Sequence, residues 1–251
     1  MPYGLYISAE GASAQARRLE VIANNMANSD TVGFKQDVPT FQARYAEAIQ
    51  RGLASPGDKS INNIGGGVKM YGTTTNFSEG NLATTGKELD FAIDGDGFFH
   101  VQGDDGKVYL SRAGNFTIDA KGRLVTSEGH NPVLDQQFSE VTINGDLPWY
   151  MTPDGFLVQD GGAKAIGLSQ PKSLNELEKV GNNRFRPTGK IEPVPLADRN
   201  VRQGYLELSG SNPINQMMAM IETTRGFEAN SRMIQAQDSA IGTLVGRVLR
   251  S

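Results

Sequence analysis

The chain has no cysteine, one tryptophan and two histidines among its 251 residues. Without cysteine there are no disulfides, no thiol nucleophile and no Cys-based metal site. A Cys-free chain suits either redox compartment. His100 and His130 stand without motif neighbours, and neither a His-x-x-x-His pair nor a Gly-x-Ser-x-Gly elbow occurs. No apolar run approaches the roughly 18 residues of a membrane span. The net charge is small and negative, -4 at pH 7, which argues against a surface built for nucleic acid or an anionic membrane. Glu10, Arg17 and Arg18 interrupt the N-terminal apolar stretch, so no cleaved Sec-type signal is expected.

The acids that are present do not form a site. Asp94, Asp96, Asp104 and Asp105 lie close together, but Phe98 and Phe99 occupy positions where a calcium loop needs oxygen ligands. Hairpin turns explain them better. Gly65-Gly66-Gly67 is followed by a short β-like run and not by the Gly-Lys-Ser/Thr that opens a phosphate-binding helix; a flexible joint or bulge is the simpler reading. A Ser/His/Asp triad is a spatial arrangement that spacing does not test, and acid pairs are available in any chain with 28 carboxylates. Trp149 reads as a packing residue. The expectation is no catalytic, cofactor or metal site.

What the chain does have is periodicity at both ends. Leu5, Ala9, Ala12, Ala16, Leu19, Ala23 and Met26 alternate spacings of four and three, an unbroken heptad seam. Arg17, Arg18 and Glu20 fall off it. The run stops at Asn24-Asn25-Met26-Ala27-Asn28-Ser29-Asp30, rich in residues that favour caps and turns. At the other end Met220, Phe227, Ile234, Ile241 and Val248 recur every seventh residue. Their interleaved partners Met217, Thr224, Ser231, Asp238 and Val245 are half polar. Such helices could pair with each other as an ordinary hairpin or with other subunits.

Energetics favours the second use. Ordering a residue's backbone costs roughly 1–2 kcal/mol, and burying Leu or Met returns roughly 1.5–3 kcal/mol, Ala far less. Four of the seven first-seam positions are alanine. The second helix also carries Gly226, Gly242 and Gly246, each costing about 1 kcal/mol against Ala. Helices this marginal gain stability inside a larger bundle, and both ends read as assembly elements.

Between them the chain changes character. Phe41, Tyr45, Ala48, Ile49 and Leu53 make a weak helical pattern over 38–54, broken by Ser55-Pro56-Gly57-Asp58. From about residue 73 the period becomes two. Strands are expected at 89–93, 98–102, 107–110, 115–118, 123–126, 141–143, 156–158 and 165–168, with Asp- and Gly-rich turns between them. Ser173 to Leu177 suggests one helical turn. The fold class is α+β: N- and C-terminal heptad helices forming a coiled-coil layer, with a central antiparallel β-rich, sandwich- or barrel-like domain. Its expected divisions are 1–35 for the N-terminal helix, 36–72 for a connecting segment, 73–206 for the β domain and 207–251 for the C-terminal helix.

Several blocks carry a resemblance. Ala23-Asn24-Asn25-Met26-Ala27-Asn28 with Thr31-Val32-Gly33-Phe34-Lys35 is similar to the N-terminal signature of the flagellar basal-body rod and hook protein family. Leu89 to Phe99 resembles its second block, and Leu110-Ser111-Arg112-Ala113-Gly114-Asn115-Phe116 its third, with Ser111 where Thr is usual. Gln203-Gly204-Tyr205-Leu206-Glu207, Ser211-Asn212, Met220-Ile221-Glu222 and Arg225-Gly226-Phe227-Glu228 resemble its C-terminal block. Leu208-Ser209-Gly210 and Pro213 depart from the usual link.

The resemblance implies a non-enzymatic axial protein of the basal body. It would leave the cell through the flagellar type III export apparatus without a cleaved signal and join the periplasm-spanning rod. Its partners would be itself and neighbouring rod and hook axial proteins, with no nucleic acid and no membrane insertion. Length and the single compact middle domain point to the rod type over the hook type, and the general look of the blocks to the proximal rod over the distal. Asn24, Asn25, Asn28, Gly33 and Phe34 join the two seams as expected assembly residues, the asparagines turning the helix end and Phe34 anchoring the segment after it. Two rival readings remain: a secreted carbohydrate-acting enzyme on a β scaffold, and a β-domain adhesin with a helical stalk.

Overall fold

Two long helices bracket a β-rich middle. The computed structural model describes residues 3–45, 49, 51–52, 55 and 65–248. Helix α1 spans Tyr3–Ala27 and helix α2 spans Pro213–Val248. The start of α2 is set locally: Asn212 Oδ1 accepts hydrogen bonds from the backbone N–H groups of Ile214 at 2.9 Å and Asn215 at 3.3 Å. Pro213, whose missing N–H costs nothing there, is the first helical residue. Helix α1 ends at Ala27, before the expected limit of 35. Asn28 to Thr31 turns instead, with Thr31 N–H donating to Asn28 O at 3.2 Å.

The contacts divide the chain into two units. The first comprises Met1–Ala27, Asp37–Asn76 and Asn212–Ser251. In it, α1 runs beside α2 together with a ribbon of β1 (Asp37–Ala43) and β2 (Val68–Thr75), paired antiparallel. The weak helical pattern over 38–54 is thereby corrected: its first residues are strand. Val38, Thr40 and Phe41 favour extended backbone, and β2 supplies a partner that periodicity cannot reveal. Ala48 and Leu53 of that pattern lie outside the described residues. The 72/73 division falls inside β2. Gly65-Gly66-Gly67 closes the ribbon: Gly66 donates to Arg44 O at 2.8 Å, and a Cβ on Gly66 would meet Tyr45 O at 2.3 Å. The glycines serve a close backbone approach, and no helix follows to hold a phosphate.

The second unit comprises Asn28–Gln36 and Phe77–Ser211. Its strands begin with β3 (Leu82–Thr84), β4 (Phe91–Ile93), β5 (Phe98–Gln102), β6 (Val108–Ser111), β7 (Phe116–Ile118) and β8 (Leu124–Thr126). Next come β9 (Trp149–Met151), β10 (Phe156–Gln159), β11 (Gly162–Ala165) and β12 (Leu168–Pro171). The last are β13 (Leu177–Gly181), β14 (Arg184–Pro187), β15 (Ile191–Pro193), β16 (Val201–Gln203) and β17 (Tyr205–Glu207). A six-stranded antiparallel sheet runs β13-β14-β6-β5-β12-β15. Short ribbons, among them β16 on β4 and β17 on β3, complete the unit. The turn read at Ser173–Leu177 is a 3₁₀ turn, Leu174–Glu176.

Strand β5 shows why the middle is self-sufficient. Alternate side chains leave a strand on opposite faces. Phe99 and Val101 enter a core with Phe91, Phe116, Leu124, Val133, Leu157 and Ile166, while Phe98 joins Leu110 and Phe185 in a second cluster. Both faces are therefore covered.

His100 pays for that coverage. Its ring is fully buried, stacked on Phe138 at 5.1 Å, and burial pulls its pKa from 6.5 down to about 4. The folded state thus favours neutral imidazole, and its contribution is complete above pH 6.5 and lost as pH falls toward 4. The linkage amounts to about 3 kcal/mol. Urea titrations between pH 7 and 4 should show wild type losing about that much more stability than His100→Gln; parallel curves would refute the assignment.

Candidate assembly interface

The two helices of the first unit meet on an unexpected stripe. A Cβ on Gly4 would stand 2.9 Å from Gln237 Nε2, one on Gly11 3.1 Å from Asn230 Oδ1, and one on Gly226 3.3 Å from Gln15 Nε2. The helices are antiparallel, since each step forward in α1 matches an equal step back in α2. Ser8, Ile22 and Asn25 are buried on this stripe of α1, as is Thr223 on α2. Each of these α1 residues precedes a seam residue by one, a rotation of about 100° around the helix. Small residues let the backbones approach, and the contact is mostly polar.

The expected seam is only partly covered. Leu5, Ala12, Ala16, Leu19 and Met26 are half-buried, while Ala9 and Ala23 are exposed. On α2 Met220, Ile234 and Ile241 are half-buried, and Phe227 and Val248 are exposed. Other large apolar side chains also face outward, including Ile214 at 67% exposure, Met218 at 65% and Leu244 at 63%. Because Gln237 already lies beside Gly4, the end of α2 from Ile241 onward runs past the start of α1.

The asparagines take separate jobs. Asn25 is buried and clasps one backbone position, donating to Asp37 O at 2.7 Å and accepting from Asp37 N–H at 2.9 Å. It ties the helix to the ribbon where a terminal cap was expected. Asn24 is exposed. Asn28 belongs to the second unit, where its Oδ1 accepts from the Thr31 hydroxyl at 3.2 Å and its carbonyl from Ser209 at 2.8 Å.

Residues 28–36 are stitched into the β-rich unit. Gly33 adopts φ +65° and donates to Glu207 O at 2.8 Å. The Phe34 ring is buried under the Lys179 ammonium, 3.9 Å from its centroid. Gly210 N–H donates to Phe34 O at 2.8 Å. Thus the Leu208-Ser209-Gly210 departure supplies two tethers, from Ser209 and Gly210.

Beneath them lies a buried charge cluster that spacing did not reveal. Lys35 Nζ donates to Glu207 Oε1 at 2.6 Å and Ser78 O at 2.7 Å. Glu207 Oε1 also accepts from Gly80 N–H at 2.8 Å, and its Oε2 lies 3.4 Å from Arg112 Nη1. Arg112 Nη2 donates to Gly95 O at 2.8 Å, and its guanidinium lies over the Phe98 ring. Burial lowers the Lys35 pKa, opposed by its pairing with Glu207. Lys35, Gly95, Arg112 and Glu207 each come from a different block of the sequence resemblance. The four blocks meet at one point.

The chain matches three family models: Flagella basal body rod protein over residues 5–35, Flagellar hook protein FlgE/F/G D1 domain over 92–148, and Flagellar basal body rod FlgEFG protein C-terminal over 202–246. It is 35% identical over 240 residues to the flagellar basal-body rod protein FlgF of Caulobacter vibrioides, covering 93% of each chain. The chain belongs to the flagellar basal-body rod protein family, of FlgF/FlgG type. It is also 32% identical to FlgG of Bacillus subtilis, over 96% of this chain and 97% of that one. FlgF of Rhizobium meliloti is 33% identical, over 98% and 99%. The rod protein is a structural subunit of the basal body, where it assembles with other rod and hook proteins. The enzyme and adhesin readings find no support in these relatives.

Proposed function

We propose that the rod protein self-assembles through its terminal helices into the coiled-coil inner layer of the axial tube that carries torque from motor to hook. Leu5, Ala9, Ala12, Ala16, Leu19, Ala23 and Met26 make the inter-subunit seam, with Phe227, Val248 and the other outward apolar residues of α2 opposite. The carrying observation is the division of labour on α1: its polar, glycine-bearing stripe faces α2, and the adjacent apolar stripe is left for neighbours. Each large apolar side chain buried there returns about 1.5–3 kcal/mol, which a lone chain forgoes. Heterologous, non-closing contacts of this kind generate helical filaments. Asn25, Asn28, Gly33 and Phe34 serve by fixing the segment that leaves the helix. The ribbons and six-stranded sheet form a sandwich- or barrel-like body outside the tube.

The same reading makes the subunit non-enzymatic, exported by the flagellar apparatus without a cleaved signal, and resident in the periplasm-spanning rod. The chain is 35% identical to the FlgF of Caulobacter vibrioides and 31% to the FlgG of the same bacterium, which supports the proximal over the distal rod.

Ala16→Glu tests the seam. The charge sits on a half-buried position away from α2, so the purified chain should keep its circular dichroism and melting profile. In a strain lacking its own copy, immunoblots of isolated basal bodies should show incorporation reduced more than tenfold and motility lost. Normal incorporation would remove the seam from the interface.

A further inference from the structure

A groove opens in the wall of the β-rich unit, beside the core residue Phe116. It holds about 660 Å³, with Val32, Leu89, Phe116 and Leu206 as apolar walls and a charged rim of Lys87, Glu88 and Asp90 that is net negative. Asp90 is only 4% exposed, and its Oδ2 has no hydrogen-bond partner among the described residues. Its backbone is otherwise fully engaged, donating to Lys87 O and accepting from Gly204. An unpaired, inaccessible carboxylate oxygen is costly, and Asp90 belongs to the groove's wall, so a donor entering there would relieve it.

The same chain displays a segment of matching chemistry. Met218, Ile221 and Arg225 of α2 share one helix face by their spacing of three and four. Met218 and Ile221 are exposed, and Arg225 is exposed and forms no ion pair among the described residues. Apolar knobs followed by a free guanidinium fit a groove with apolar walls and a free acid.

We infer that this groove receives the Met218–Arg225 face of α2 from a second copy of the chain, with Arg225 donating to Asp90. The contact rests on the assembly reading above and adds a specific joint to it: each subunit's β-rich unit grips a neighbour's helix. Charge complementarity sets the register, since only one residue of that helix face can satisfy Asp90.

The absence of native cysteine permits a direct test. Ser127 lines the groove and Glu222 lies one turn before Arg225 on the exposed helix. Ser127→Cys and Glu222→Cys, combined in one chain and oxidised in isolated basal bodies, should yield a ladder beginning with a species at twice the chain mass of 27.1 kDa. Neither single variant should give it. Assembled rods without that species, or a Ser127→Cys adduct to a different rod or hook protein, would overturn the inference while leaving the seam intact. Charge removal gives an independent reading: Asp90→Asn and Arg225→Gln should each cut incorporation about tenfold, and the double variant should be no worse than either. Additive losses would refute the pairing. Ala16→Glu in parallel reports the seam, so the two proposals fail separately.

Discussion

Glu207→Gln should destabilise the β-rich unit by about 3–5 kcal/mol, the usual result of breaking a buried ion pair from one side. The carboxylate is the common counterion of Lys35 and Arg112, all three side chains being nearly inaccessible. Glutamine keeps an oxygen for Gly80 and Lys35 but leaves two cations in a dry site. For a domain of this size the melting temperature should fall by about 10 °C, and urea unfolding would show the same loss at constant slope. The cluster's worth is conditional, however. Replacing all three groups with apolar side chains of similar volume should recover most of the loss, because desolvation offsets much of what the pairing contributes. A Glu207→Gln protein within 1 kcal/mol of wild type would show that Lys35 and Arg112 find other partners and that the four sequence blocks do not depend on this acid.

Gly33→Ala should cost about 2–3 kcal/mol and loosen residues 28–36. Two effects add. An L-residue in the left-handed region costs roughly 1–2 kcal/mol, and the new Cβ would lie 2.6 Å from the Arg112 carbonyl carbon and oxygen. The second effect separates this position from an ordinary turn glycine. Gly86 has φ +70° with nothing within 4 Å of its Cβ position, so Gly86→Ala should show only the conformational cost. Limited proteolysis near Lys35 reads the difference: rapid cleavage in Gly33→Ala and little change in Gly86→Ala. Equal behaviour would mean that the Arg112 backbone yields.

Much of this protein was legible in its residue order. Period seven at the ends and period two in the middle separate helix from strand because each geometry repeats its exposed face at its own interval. The Asp- and Gly-rich turns divide the middle into strands, while the C-terminal helix begins at Pro213, later than the expected 207. Local rules failed at 38–43, where the β1–β2 ribbon overrode a helical spacing through a partner about thirty residues away.

Only the tertiary structure decided which stripe of α1 meets α2. Two adjacent stripes, one apolar and one carrying Gly4, Gly11 and Gln15, both repeat at four and three. Hydrophobic spacing selects the first, but close approach of two backbones requires the second, and only the folded pair shows where glycine faces glutamine. The joint at Lys35, Arg112 and Glu207 lay equally out of reach. Its members are up to 172 residues apart, and each charge read alone looks like a solvated surface residue. Burial and mutual geometry make them one site, and those are properties of the packed chain.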